Sequence, residues 1–184
     1  MGKSNLVISK SNPLGGKIWF SFILFGLVGQ LTWAVENSYF STYIQQTITA
    51  ESWATSLTVI FSAIFAATAT ILSGALMDRL GKRRPFVCYG YILWGIITMA
   101  FAFFGNEAYT NDAKTITLIV IAFVAMDSIM SFVGSMANDA AFSAWVTDVT
   151  DITNRAFVDT IGSIFPLIAM VIILVGFSGF ANSG

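Results

Sequence analysis

The sequence predicts an all-α membrane protein with five transmembrane helices, its N-terminus inside and its C-terminus outside the cell. Of its 184 residues, 56% are hydrophobic and only 10% are charged, whereas soluble domains average about 25% charged residues. The apolar residues also fall into runs long enough to cross a hydrocarbon core of about 30 Å, separated by short polar segments. The predicted spans cover residues 18–43, 52–77, 85–105, 115–141 and 157–180.

The first span follows a polar segment, residues 1–17, which we interpret as a cytoplasmic tail. The apolar run behind it is too long for a cleavable signal peptide, and no small-residue cleavage site ends it. Within this span, Gln30, Trp33 and Asn37 fall within about 60° of one another on a helix, and Glu36 lies about 60° beyond Trp33. Such a polar stripe is expected to face protein or water rather than lipid.

The second span carries no charge and many small residues. Four of them recur every three or four positions, a spacing that lets helices approach closely in lipid. These residues are Ser62, Ala66, Thr70 and Ser73.

The third span begins with Pro85, which suits a first helical turn. The sequence leaves open whether Tyr89, Tyr91 and Trp94 face lipid or line a cavity. Cys88 is the chain's single cysteine, so an intrachain disulfide is excluded and we expect a buried, small apolar side chain.

The fourth span holds ionisable residues deep in an apolar run. Asp127 lies about 18 Å from its start, close to mid-membrane. Asp139 points about 120° away from Asp127. One face, about 60° wide on the helix, combines Asp127, Ser131, Gly134, Asn138 and Trp145. In the fifth span, Pro166 is expected to cause a bend.

The basic residues set the predicted orientation. Eight Lys and Arg residues fall in the segments assigned to the cytoplasm, and only Lys114 falls in an external segment. Loops rich in Lys and Arg are retained on the cytoplasmic side. The sequence therefore predicts an integral protein of the plasma (inner) membrane.

The loop between the second and third spans carries a family resemblance. Its sequence follows the pattern G-x-L-x-D-R-x-G-[RK]-[RK], with the fixed positions filled by Gly74, Leu76, Asp78, Arg79, Gly81, Lys82 and Arg83. This pattern resembles the signature loop of the major facilitator superfamily. The resemblance implies a conformational latch, in which Asp78 helps hold two transporter halves together while the basic residues contact the other half or lipid head groups. The alternative is that the basic residues serve only as a topology signal.

A second stretch resembles one branch of that superfamily. Residues 138–148 and the pair Asn154-Arg155 are similar to the fourth helix and following loop of the glycoside–pentoside–hexuronide cation symporters, and residues 81–86 extend the likeness. The resemblance implies that Asp139 belongs to a sugar and cation site. Melibiose-type members carry acidic residues in helix 2, whereas the second span here has none, so coupling to protons or no coupling also remain open.

These features predict the N-terminal part of a secondary transporter that moves a small polar solute, with a sugar favoured, by alternating access coupled to H⁺ or Na⁺. For each candidate residue the alternative is a structural role, through hydrogen bonds between helices or, for the tryptophans, ordinary packing. The candidate solute and ion ligands are Gln30, Trp33, Glu36, Asn37, Asp127, Asn138, Asp139 and Trp145.

The composition disfavours other functions. The chain has no histidine, the commonest metal ligand and acid–base group, and no nucleotide-binding loop. We expect no enzymatic activity, no cofactor, no metal and no nucleic-acid partner. Transporters of the resembled family have twelve spans in two halves, so the expected partners are the bilayer, the solute, the coupling ion and a complementary C-terminal half. The alternative is a truncated, non-transporting protein or an assembly subunit that keeps the fold.

Overall fold

A computed structural model describes residues 14–101 and 113–181, with side chains through residue 176, and all regular structure in these ranges is helical. This confirms the all-α class. Most of the predicted tail and the end of the third predicted span lie outside the described residues. The helices are α1 (Gly16–Ile48), α2 (Ser52–Leu80), α3 (Arg84–Ala100), α4 (Ala113–Val149), α5 (Arg155–Gly162) and α6 (Phe165–Ala181).

Four helical segments of the described chain are long and apolar enough to cross a membrane. They are α1, α2, α4 and the segment Arg155–Gly176, which joins α5 to α6. The length and composition of these helices identify an integral membrane protein. Helix α3 has 17 residues, and residues 102–112, which follow it closely, lie outside the described ranges, so a span at residues 85–105 stays a prediction.

Helix α1 extends beyond its predicted end at Tyr43. Its last turns, Ile44–Ile48, are π-helical, and Ile44 and Ile48 are buried. They pack against Val120 and Phe123 of α4. Burial of these isoleucines favours the helical conformation here, so only residues 49–51 connect α1 to α2.

The last predicted span is interrupted near Pro166. Helix α5 ends at Gly162 and α6 begins at Phe165. Because proline has no backbone N–H, Pro166 cannot donate to the Gly162 carbonyl, and the helix stops before it and restarts with proline in its first turn. The expected bend is therefore a break.

Helix α4 is the centre of the bundle, and α1, α2 and α3 all pack against it. On the α3 side, Trp94 packs against Met130 and Val133. On the α2 side, Ala69 and Ser73 are buried, so part of the predicted small-residue stripe faces protein. Helix α6 packs against α1 instead, through Ala169 and Ile173 around Ala34.

The basic loop turns at Gly81. Its φ is 61°, in the left-handed region, and its N–H donates to the Met77 carbonyl over 2.9 Å. Glycine adopts this conformation without a Cβ clash and commonly ends a helix in this way. The turn ends α2 and directs the chain into α3.

The prediction for Cys88 was wrong, because its side chain is exposed. The buried face of α3 is formed by Val87, Gly90 and Trp94, which recur at helical spacing. Cys88 is one residue, or about 100°, away from Val87 and so faces outward. The same periodicity places Trp94 on the buried face of α3. Its side chain is 1% exposed, so it does not face lipid.

Helices α3 and α4 cross in close contact at Gly90. A Cβ atom at this position would lie 2.7 Å from Ala137 Cβ and 3.3 Å from Ala137 Cα. Only glycine allows the two backbones to approach this closely.

Replacing Gly90 by alanine should therefore destabilise the bundle. Ala137 has no rotatable group that can move aside, so the two helices would have to separate. Overpacking of this kind costs about 1–3 kcal/mol, and we expect a lower unfolding temperature for the detergent-solubilised chain. Gly95→Ala, on the same helix, is the matched control because a Cβ there meets nothing within 4 Å. Equal unfolding temperatures for the two variants would contradict the close crossing.

Candidate functional site

The structure brings together two acidic residues that are 91 positions apart in the sequence, Glu36 of α1 and Asp127 of α4. Glu36 is 8% exposed and Asp127 is 1% exposed. The two carboxyl groups interact electrostatically, and Asp139 also acts on Glu36. Glu36 begins a π-helical segment, Glu36–Phe40, and such segments occur frequently at functional sites.

Each of these carboxyl groups has one oxygen paired with a serine from another helix. Ser131 Oγ donates to Glu36 Oε1 over 2.9 Å, and Ser62 Oγ of α2 donates to Asp127 Oδ2. Within the described part of the chain, Glu36 Oε2 and Asp127 Oδ1 have no hydrogen-bond partner. Buried polar atoms without a partner are rare and costly, so these two oxygens make the pair of carboxyl groups a candidate site.

Both carboxyl groups line a cavity of about 300 Å³, which we call the paired-acid cavity. Asn37 and Thr58 contribute further polar groups, and Trp33 and Phe40 form part of its apolar wall. The ring of Trp33 lies 5.4 Å from that of Trp94. Three helices, α1, α2 and α4, therefore contribute polar and apolar groups to one open cavity.

A second cavity, of about 420 Å³, contains Asp139, and we call it the Asp139 cavity. Gln30 and Asn138 line it together with Asp139, while Arg155 and Asp159 of α5 lie on its other side. Both carboxylate oxygens of Asp139 accept hydrogen bonds, from Ser135 Oγ over 2.8 Å and from Asn138 Nδ2 over 2.9 Å. This carboxylate is therefore held in place by its own helix and is exposed to the cavity.

A π-helical segment of α4, Ser135–Phe142, determines where Asp139 points. A π-helix closes its hydrogen bonds over five residues, so it turns by less than the roughly 100° per residue of an α-helix. The residues after Ser135 are consequently rotated about the helix axis toward the face that carries Asp127. Asn138 and Asp139 can then both line one cavity, although ideal α-helical geometry sets Asp139 about 120° from Asp127.

Tyr91 of α3 is a polar contact that sequence reasoning missed. Its hydroxyl lies 2.8 Å from Asn138 Oδ1 and 2.9 Å from the Phe25 carbonyl. Because the hydroxyl occupies Oδ1, the amide of Asn138 is oriented with its nitrogen toward Asp139. The available signal was the spacing of Tyr91 with Val87 and Trp94, which places all three on one face.

The loop before α5 positions Arg155 beside the Asp139 cavity. Asp151 Oδ1 accepts from Thr153 Oγ1 over 2.5 Å and from the Thr153 amide over 2.8 Å. These hydrogen bonds lower the pKa of Asp151. They therefore stabilise the loop fully at pH values above the ordinary carboxyl pKa, and this stabilisation is lost as the pH falls through the lowered pKa. Arg155 then donates to Thr147 Oγ1 over 2.8 Å.

Arg83 joins the basic loop to the end of α4. Its Nη2 lies 3.2 Å from Asp78 Oδ1, and its Nη1 contacts the Asp148 carboxylate and donates to the Ala144 carbonyl over 3.0 Å. Asp78 is 71% exposed. The remaining residues of the predicted latch are exposed at the loop or, for Gly74, lie within α2; they are Gly74, Arg79, Gly81 and Lys82.

The predicted ligand residues separate into two groups and one outlier. Trp33, Glu36, Asn37 and Asp127 line the paired-acid cavity. Gln30, Asn138 and Asp139 line the Asp139 cavity. Trp145 lines neither of these cavities; its ring stacks on Phe142, with 5.8 Å between centroids.

Comparison with known proteins leaves the chain without an assigned family, because no family model, curated protein or solved structure matches it.

Removing the Arg83 side chain should loosen the loop and the end of α4 together. The arginine contacts are partly exposed, and an exposed ion pair contributes up to about 1 kcal/mol, which corresponds to roughly a fivefold change in a local opening equilibrium. We expect Arg83→Ala to accelerate amide hydrogen exchange several-fold in residues 78–84 and 144–150. Lys82→Ala is the control, since Lys82 forms no ion pair with any described residue. Similar exchange in the two variants would show that Arg83 does not hold this junction.

Proposed function

We propose that this chain is the N-terminal bundle of a secondary transporter of the major facilitator type. The transporter moves a small polar solute, with a sugar favoured, and an H⁺ or Na⁺ gradient drives the transport. One observation carries the proposal. Three carboxyl groups, those of Glu36, Asp127 and Asp139, line cavities inside a membrane-spanning helical bundle. An ionisable group within a span costs about 2.5–3.5 kcal/mol on insertion scales, and such groups commonly mark solute and ion pathways.

The size and the lining of the Asp139 cavity favour the binding of a polar solute. Its volume of about 420 Å³ is within the usual range of about 300–1,000 Å³ for small-molecule sites. Asp139 offers acceptors, and Gln30 and Arg155 offer donors, a combination that suits a solute carrying several hydroxyl groups. Phe142 and Phe165 also line the cavity, and they give it apolar surfaces against which a sugar ring can pack.

The proposed topology has five spans, with residues 85–105 as the third. The ratio of eight basic residues to one supports a cytoplasmic N-terminus and an external C-terminus, in the plasma (inner) membrane. In this orientation the loop containing Gly81 and Arg83 is cytoplasmic.

The exposed carboxylate of Asp78 supports the proposed latch. Arg83 is its ion-pair partner among the described residues, and with 71% of its side chain exposed Asp78 remains open to a second transporter half. A complementary C-terminal half would complete the alternating-access machine, because transporters of this kind move two repeats about a central site.

Solute uptake tests the proposed function. Vesicles containing this chain, with and without the remaining spans of a complementary half, are assayed against a panel of sugars under imposed H⁺ or Na⁺ gradients. Gradient-dependent uptake that requires the second half supports the proposal. Absence of uptake in every combination favours a non-transporting subunit.

In a transporting preparation, we expect Asp139→Asn to abolish most uptake and Asp78→Asn to reduce it, while both variants insert normally. Asp139 loses the charge that meets the solute, and Asp78 loses the charge of the latch. Glu51→Gln serves as the matched control because Glu51 lies in the short connection before α2, outside both cavities. Unchanged uptake in Asp78→Asn would eliminate the latch, and unchanged uptake in Asp139→Asn would eliminate the solute site.

A further inference from the structure

We propose that Glu36 and Asp127 form a binding site for one monovalent inorganic cation, Na⁺, which is separate from the Asp139 cavity. The role of this site in ion coupling rests on the proposed function, but the binding of Na⁺ is measurable without transport. The inference begins from the two carboxylate oxygens, Glu36 Oε2 and Asp127 Oδ1, that lack partners in the described chain and belong to groups lining one cavity.

The charge around these oxygens indicates what the site accepts. No Lys or Arg of the described residues lines the paired-acid cavity. Two carboxylates in a buried site repel each other strongly when both are ionised, so positive charge has to come from a bound ion or from protons. A single Na⁺ together with one proton neutralises the pair.

The neighbouring polar groups can complete the coordination of a hard cation. Ser62 and Ser131 each donate their hydroxyl hydrogen to a carboxylate, and the Thr58 hydroxyl donates to the Ala54 carbonyl over 3.0 Å. Because every hydroxyl has used its hydrogen, the lone pairs of its oxygen remain for an ion. Carboxylate and hydroxyl oxygens are the ligands that hard metal ions prefer.

The amide of Asn37 adds a further oxygen. Its Nδ2 donates to the Trp33 carbonyl over 2.8 Å, so the nitrogen is engaged and Oδ1 remains as an acceptor beside the cavity. The lining of the paired-acid cavity thus offers two anionic oxygens, three hydroxyl oxygens and one amide oxygen as candidate ligands. Anionic ligands produce a strong field, which favours Na⁺ over the larger K⁺.

Protons compete for the same site, so the surrounding titratable groups matter. Helix α1 contributes Glu36, and α4 contributes Asp127 and, at greater distance, Asp139. Helix α2 contributes the hydroxyls of Ser62 and Thr58. The nearest titratable group of α3 is Tyr91, which interacts with Asp139, and α6 has none in its sequence. Lower pH should therefore weaken Na⁺ binding through Glu36 and Asp127 themselves.

Binding of ²²Na⁺ to the full chain in detergent or nanodiscs is the test, at constant ionic strength set with N-methylglucamine chloride. Tryptophan fluorescence gives a second readout, because one of the five tryptophans, Trp33, lines the cavity; the Na⁺-dependent change that is lost in Trp33→Phe reports this ring. We expect saturable binding of one ion per chain that weakens from pH 8 to pH 6. Since affinity for hard cations follows the number of charged ligands, Glu36→Gln and Asp127→Asn should each weaken binding at least about tenfold.

Two further variants keep the test independent of folding. Ser62→Ala removes one ligand and a hydrogen bond and should weaken binding by roughly threefold to tenfold, a milder loss than that of a charged ligand. Glu51→Gln, which removes an acid from the short connection before α2 and outside both cavities, should bind Na⁺ within about twofold of the unaltered chain. Circular dichroism and gel filtration verify that each variant is folded.

The outcomes separate this inference from the proposed function. Absence of saturable ²²Na⁺ binding between pH 6 and 8 overturns the site. Unchanged binding in the folded Glu36 and Asp127 variants also overturns it. So does displacement of Na⁺ by small organic ammonium ions at a lower concentration than by K⁺. Na⁺ binding without uptake in any combination of halves leaves the site standing and removes the transport function. Na⁺-driven uptake that persists in Asp127→Asn removes the site and leaves transport standing.

Discussion

The close packing of α4 against α1, α2 and α3 is the constraint on which the rest of the structure depends. In lipid, helices associate through tight packing and interhelical hydrogen bonds rather than through the hydrophobic effect. At the crossing of α3 and α4, Gly90 lies directly opposite Ala137, and the close backbones allow Tyr91 of α3 to contact Asn138. The separate packing of α2 on α4 allows Ser62 to contact Asp127.

The two cavities differ in how their acids are satisfied. Asp139 receives hydrogen bonds on both oxygens from Ser135 and Asn138 of its own helix, so it presents an ordered carboxylate to an open cavity. Glu36 and Asp127 each receive one such bond from the described chain and are deeply buried. An ordered, exposed carboxylate suits recognition of solute hydroxyl groups, whereas two under-coordinated buried carboxylates suit a cation.

Helix α4 also connects the cavities to the basic loop. It contributes Asp127 to one cavity and Asp139 to the other. Near its end, Arg83 donates a hydrogen bond to the Ala144 carbonyl and forms an ion pair with Asp148. Arg83 therefore joins the basic loop to the helix that carries both acids. The π-helical segment Ser135–Phe142 lies between these contacts, and its wider turn aligns Asn138 and Asp139 with one cavity.

The sequence by itself determined the all-α class and the long apolar helices, because run length and composition are local properties. It also identified the acidic residues within the spans, since charge in an apolar run is visible without a fold. Only the tertiary structure decided that Glu36 meets Asp127, that Tyr91 supports Asn138 and that Trp145 is outside both cavities. These contacts depend on how helices distant in sequence cross and on π-helical shifts of register, neither of which is encoded in the periodicity of a single helix.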